Sequence, residues 1–163
     1  KKLFDNVHRM EFIDTVLIMI FTGVRVGELL EIRNETVDIE NRIMRGGSKT
    51  EAGKDRVIPI NKKILPFVKA WHERGHEFLI VNHEDKQMSY WNYYEEKWKK
   101  IMEQLEMDHR PHDCRHTFAS LMDSAGANKL CIKRIMGHAS KDITDKVYTH
   151  KDIEELKEAV DLI

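Results

Sequence analysis

Residues 9–21, RMEFIDTVLIMIF, are apolar on almost every side. Ile13, Leu17 and Ile20 recur at helical spacing, and Val16 and Met19 fill a second stripe. A helix that is apolar all round has no face to offer water, so neighbours must cover it on both sides. The chain has 163 residues, 41% hydrophobic and 34% charged, which suits one core-forming domain. The longest unbroken apolar run, Val16 to Phe21, falls well short of the roughly 20 residues that cross a bilayer. No cationic region followed by an apolar segment and a small-residue cleavage site opens the chain. Cys114 and Cys131 alone do not make a disulfide scaffold. The 27 Lys plus Arg nearly balance the 28 Asp plus Glu, for a net charge of -1. That balance excludes a histone-like tail but not a nucleic-acid partner, because the distribution of charge decides binding. The sequence starts without methionine inside a polar run, and it is expected to be a piece of something longer.

Thr22 and Gly23 interrupt the apolar helix, and VRVGELLEI resumes a helical register with Arg25 and Glu28 three apart on one face. Asn34 to Ile60 changes character. Val37, Ile39 and Ile43, then Val57, Ile58 and Ile60, flank GGSKTEAGKDR, which predicts two or three short antiparallel strands. Pro59 belongs at an edge or a strand end, since it brings no N–H to the ladder. From Lys62 to about His72 the pattern is helical, with Pro66 early enough to sit in a first turn. A short apolar FLIV and a polar loop follow. Ser89 is a plausible N-cap for one helix from Tyr90 to about Leu105, carrying Trp91, Tyr94 and Trp98.

The last third is punctuated helix. Pro111 can open one whose apolar face is Phe118, Leu121 and Met122, with Gly126 closing it. Lys129 to Met136 reads as the next, with Leu130, Ile132 and Ile135 inward and Gly137 at its end. Ser140 can cap a further helix towards Val147 and Tyr148. Ile153, Leu156, Val160 and Ile163 mark an amphipathic tail, and residues 151–163 hold two lysines against five acids. The fold class expected is α+β, mainly α-helical, with a small antiparallel three-stranded sheet near the N-terminal third.

Four chemistries compete for these residues. His109, His112, Cys114 and His116 in HRPHDCRH are metal-ligand types, but they fall on different helix faces and no CxxC or HExxH accompanies them. The glycines of GG and GELLEI lack the pattern that wraps a nucleotide phosphate. Phosphodiester chemistry without a metal fits better. Guanidiniums such as Arg25 and Arg115 meet phosphoryl oxygens with paired hydrogen bonds. His112 and Arg115 at i,i+3 can share a pocket, Lys49 sits in the glycine-flanked hairpin, and Tyr148 supplies a nucleophile. A phenol with a pKa near 10 needs such converging cations to attack at neutral pH. The fourth reading is a binding module that only holds nucleic-acid backbone. Taken singly, Tyr148, His138 and Lys49 are each ordinary packing, capping or surface residues.

TGVRVGELLEI (22–32), GSKTEAGKDRVIPI (47–60), PHDCRHTFASLM (111–122), IMGHAS (135–140) and VYTH (147–150) together resemble the tyrosine recombinases, the phage integrase family. Order and separation match over nearly the whole chain, and the wording is most similar to integrases of phages and conjugative transposons rather than to housekeeping recombinases. The resemblance implies the catalytic set Arg25, Lys49, His112, Arg115, His138 and the nucleophile Tyr148, with Glu28 in support and Lys49 favoured over Lys54 for the hairpin lysine. Lys54, Arg56 and Arg110 are candidates for the DNA backbone. Cys114 departs from the leucine usual in the family, a change of packing rather than of chemistry.

By that resemblance the protein cuts and rejoins DNA through a 3'-phosphotyrosyl intermediate, with neither metal, ATP nor other cofactor. The implied partners are double-stranded DNA at recombination sites and, in the full-length protein, three further protomers in a synaptic tetramer. The resemblance further implies a catalytic domain at 1–163 without its core-binding domain or any arm-binding domain, expected as a monomer by itself. It also implies a tail at 151–163 that docks on a neighbouring protomer or caps its own, no membrane, and a cytoplasmic, nucleoid-associated location in a bacterial host.

Overall fold

The computed structural model describes residues 1–46, 55–137 and 149–163. Helix α1 (Lys2–Asn6) leads into α2 (Ile13–Thr22), the predicted all-apolar helix. Ile13, Leu17, Ile18 and Met19 are at most 1% exposed, and α2 packs against α1, against α4 (Leu65–His72) and most extensively against α7 (Pro111–Ser124). Two buried threonines solve their own hydroxyls locally. Thr15 Oγ1 donates to the Phe12 carbonyl at 2.6 Å and meets the Tyr93 hydroxyl at 2.7 Å, while Thr22 Oγ1 donates to the Ile18 carbonyl at 2.6 Å. Such backward bonds let a helix carry Thr where water is absent.

Gly23 ends α2 in the left-handed region at φ 68°, and α3 (Val26–Glu31) starts two residues later. The strands are β1 (Val37–Asp38), β2 (Ile43–Gly46) and β3 (Arg56–Pro59), antiparallel in the order β1-β2-β3. Ile43 pairs with Pro59 and Gly46 with Arg56. Pro59 thus closes an edge strand, as its missing N–H requires. All four residues of β3 are buried, because α8 (Lys129–Met136) and α9 (His150–Val160) pack against that strand. In α4, Pro66 lies in the first turn, and Trp71 Nε1 donates to Asp14 Oδ2 at 2.7 Å.

Two expectations need correction. The helix read from Tyr90 to Leu105 is three pieces, α5 (Tyr90–Tyr93), a π-helical turn (Tyr94–Trp98) and α6 (Lys99–Gln104). Ser89 does cap it, its Oγ accepting the Asn92 N–H at 3.1 Å. Tyr93 and Trp98 are five apart and both buried, a spacing that one α-helix turns apart and a π-turn brings onto one face. The second correction concerns the inward faces of α7 and α8. Leu121 and Leu130 are exposed; Cys114, Phe118 and Met122 form the buried stripe of α7, and Cys131, Ile135 and Met136 that of α8.

The tail packs on its own chain. Leu156, Val160 and Ile163 are buried, Arg42 grips Asp161 with two 2.9 Å bonds, and the buried Asn61 amide donates to the Val160 and Ile163 carbonyls. Arg134 Nη1 holds Asp152 at 3.0 Å, tying the start of α9 to α8.

Candidate active site

The α2–α3 turn is the frame of the site. Gly23 has no alternative there: a Cβ would stand 2.5 Å from the Phe118 ring, on a backbone that L side chains avoid. The turn sends Arg25 out as the N-cap of α3, with its backbone N–H donating to Glu28 Oε2 and its Nη1 to Oε1, both at 2.9 Å. Arg25 remains 41% exposed at its side chain while Glu28 is 4% exposed, so a buried carboxylate anchors an accessible guanidinium.

Arg115 approaches from α7. It is 3% exposed, its Nη1 donates to the Gly23 carbonyl at 2.7 Å, and its Nη2 donates to the Met136 carbonyl. Both acceptors are at helix C-termini, where the macrodipole favours a cation. Burial depresses the Arg115 guanidinium first, with repulsion from Arg25 and Arg56 adding to it and Glu28 opposing, to about 10. The group is still cationic at neutral pH.

His112, three residues before Arg115, is exposed at the start of α7 and meets His116 edge-on at 4.8 Å. Arg25, Glu28, Pro111 and His112 share the wall of an open cleft of about 380 Å³ with Val26, Gly27, Glu31 and Tyr90. Three of the expected catalytic residues therefore meet in one place: Arg25 and His112 on the cleft, Arg115 behind the turn that presents Arg25. Lys49, Lys54, His138 and Tyr148 lie outside the described residues.

Arg110 is exposed at the N-cap of α7, its N–H bonded to Asp113 at 2.8 Å, and its side chain is free of any burial that would keep it from a polyanion. Arg56 is different and corrects its expected place on the DNA backbone. It is 3% exposed, with Nη2 donating to Glu28 Oε2 at 2.9 Å and Nε to the Ile135 carbonyl at 2.8 Å. Beside the glycine-rich hairpin it reads as a solvated charge; its partners lie 28 residues before and 79 after it, and no local pattern announces them. Tyr90 is a second omission. The sequence marks it only as the start of a helix, and the Ser89 cap that fixes that start also places Tyr90 on the cleft wall.

Glu28 is thus shared by two guanidiniums. Burial alone would raise its pKa, but the hydrogen bond and charge of Arg56, then the N–H and charge of Arg25, outweigh burial and hold it below the usual carboxylate range. Among the described residues the buried Glu28 faces three guanidiniums, Arg25, Arg56 and Arg115, and Glu31 adds a second carboxylate at the cleft, which leaves a local surplus of positive charge. Among the described residues no group of three or more His, Cys, Asp or Glu side chains is arranged to hold a metal ion.

The model of the phage integrase family matches residues 2–155. The chain is 30% identical over 174 aligned positions to tyrosine recombinase XerA of Pyrococcus furiosus, covering 99% of this chain and 58% of that protein. Tyrosine recombinase XerD of Vibrio vulnificus is 25% identical, with 84% and 48% covered. The chain spans about half the length of the curated relatives it matches. Among solved structures, XerA recombinase superposes with a TM-score of 0.70 at 20% identity, over 95% of this chain and 60% of that one. The Tn1549 transposon integrase, solved with circular intermediate DNA, gives 0.67 at 22% identity, over 93% and 60%. These likenesses bear out the mainly helical fold with its small sheet, and with the family match spanning the motif arginines they make the chain a member of the phage integrase family, the tyrosine recombinases.

Proposed function

We propose that the chain is the catalytic part of a site-specific DNA recombinase that cleaves and rejoins strands through a covalent tyrosine link. The observation that supports this best is the pairing of an exposed Arg25 with a buried Arg115 at one turn, beside His112, with a surplus of positive charge. Such a site suits the non-bridging oxygens of a phosphodiester, whose charge grows in the transition state. In this reading Tyr148 attacks the phosphorus, the bond to the 5'-oxygen breaks, and a 3'-phosphotyrosyl link and a 5'-hydroxyl result. His112 takes or relays the phenol proton, Lys49 protonates the leaving oxygen, and His138 joins the two arginines on the phosphate. A second 5'-hydroxyl reverses the step on new DNA. One phosphoester replaces another, so no energy-rich cofactor is consumed.

Duplex DNA is the proposed substrate, with tetrameric synapsis the proposed assembly of the whole protein and a mobile element its proposed setting. The relatives' names include both Xer recombinases and a transposon integrase, and the motif wording favours the latter. No described helix is long and apolar enough to cross a membrane. We place the protein with the DNA in the cytoplasm.

The test is incubation of the chain with labelled supercoiled plasmid, quenching in detergent, and separation of protein-linked DNA. Wild type should yield an adduct whose peptide maps to Tyr148, and Tyr148→Phe should yield none. DNA binding without any adduct would favour a non-cutting binding module instead, and an adduct that survives Tyr148→Phe would remove the nucleophile.

A further inference from the structure

Arg56 is among the least exposed charged side chains of the described residues, yet it belongs to none of the motif positions that carry chemistry. A buried guanidinium is costly unless its N–H groups are met, so what it touches reports what it is for. One end reaches Glu28, through Nη2 at 2.9 Å and Nη1 at 3.3 Å. The remaining bonds of that carboxylate go to the N–H and Nη1 of Arg25. The other end reaches the Ile135 carbonyl in the last turn of α8. Gly137, two residues on, lies against the same side chain: a Cβ there would stand 3.0 Å from Arg56 Cδ and 3.2 Å from Nε. Arg56 therefore spans from the carboxylate that holds Arg25 to the end of the helix that precedes His138.

We infer that Arg56 is a positioning residue, which keeps Glu28 ionised and oriented so that Glu28 in turn fixes Arg25 on the cleft; this rests on the reading of Arg25 as a phosphate clamp. The charged groups facing Glu28 are Arg25 at the start of α3, Arg56 from β3 and Arg115 from α7, with Glu31 and His112 on the same cleft. Arg25 is also turned to solvent, and Arg115 is bonded to two carbonyls. Arg56 commits two side-chain nitrogens to Glu28, where the side chain of Arg25 commits one. Without it, burial pushes the carboxyl upward against a weaker opposing charge. A protonated Glu28 has lost the charge that holds Arg25, and the half-exposed guanidinium is released to other rotamers.

The test uses Arg56→Met and Arg56→Lys, each alone and combined with Glu28→Gln. The Glu28 carboxyl is followed by carbon NMR titration of the chain, and adduct yield and DNA affinity are measured against pH and salt. In Arg56→Met the Glu28 titration should move up by about one pH unit or more. Adduct formation should fall about tenfold at the acidic end and recover as pH rises, with Arg56→Lys intermediate. In the Glu28→Gln background the acidic limb should vanish and Arg56→Met should cost little more. The salt slope of DNA binding should not change, because no phosphate contact is removed. A Glu28 titration that stays put overturns the inference. So does a salt slope reduced by about one on losing Arg56, the mark of a direct phosphate contact. If Arg56→Met does not fold, Arg56→Lys carries the same titration. That titration needs no DNA, so a wild type that forms no adduct would sink strand cleavage while Glu28 still decides the role of Arg56.

Discussion

Replacing Gly23 by alanine separates the geometric account of the α2–α3 turn from a merely permissive one. Gly23 holds φ 68°, and an added Cβ would meet Phe118 Cδ1 at 2.5 Å and Cε1 at 2.9 Å. The backbone conformation costs an L residue about 1–2 kcal/mol. Phe118 is fully buried at the α2–α7 contact and has nowhere to retreat, so overpacking adds about 1–3 kcal/mol. The sum, about 2–5 kcal/mol, is a large share of a net stability of about 5–15 kcal/mol. With an m-value of about 2 kcal/mol per molar, the urea midpoint should fall by about 1–2.5 M. Gly27 is the internal control. It has ordinary φ, lies in α3, and a Cβ there meets nothing within 4 Å. Gly27→Ala should leave stability unchanged or raise it by up to about 1 kcal/mol. Equal midpoints for the two variants would refute the reasoning, because it assigns a large loss to Gly23→Ala and none to Gly27→Ala.

Burial pushes the Cys114 thiol up to about 12 and raises Cys131 as well, so neither should react with a disulfide reagent at pH 8 until urea unfolds the chain; a rapidly titrating thiol in the native protein would contradict this. Burial raises Asp161, but bonds and charge from Arg42 and Lys62 outweigh it and hold the carboxyl below its ordinary 3.8. A lowered folded pKa gives stability that is complete above 3.8 and disappears as pH falls through the folded value. Asp161→Asn should therefore cost about 1 kcal/mol at pH 7 and progressively less below pH 4, read by thermal unfolding. Tyr93→Phe should cost about 1 kcal/mol in urea denaturation, since Thr15 Oγ1 retains the Phe12 carbonyl, whereas Tyr93→Ala should cost about 3–5 kcal/mol from the cavity.

Elements whose residues satisfy themselves locally were readable in the sequence. The α2 helix announces itself by having no polar face, the strands by short apolar runs beside glycines, and α7 by a proline that can only open it. The π-turn was hidden because one extra residue per turn leaves composition unchanged, and it shows only in the joint burial of Tyr93 and Trp98. Leu121 and Leu130 look like core residues to any rule based on hydrophobicity, but where a helix already buries a stripe of three apolar residues the flanking leucine stays at the rim. In the site, Arg25, Glu28, His112 and Arg115 were legible through motif and spacing together. Arg56 was not, since whether a charge is solvated or buried depends on what the distant chain lays over it, here α8 and α9.

Among the described residues, the crowding of three guanidiniums about one buried acid has a thermodynamic consequence for the resting molecule. Like charges held together without enough counter-charge repel, and the fold bears that repulsion whenever the cleft is empty. A polyanion that enters it relieves a tension already present and need not reorganise the cleft first. In the proposed reading of the cleft, affinity for the charge and a modest weakness of the empty fold are two sides of one arrangement, so relieving the repulsion by removing the exposed Arg25 should make the cleft a poorer host for phosphate.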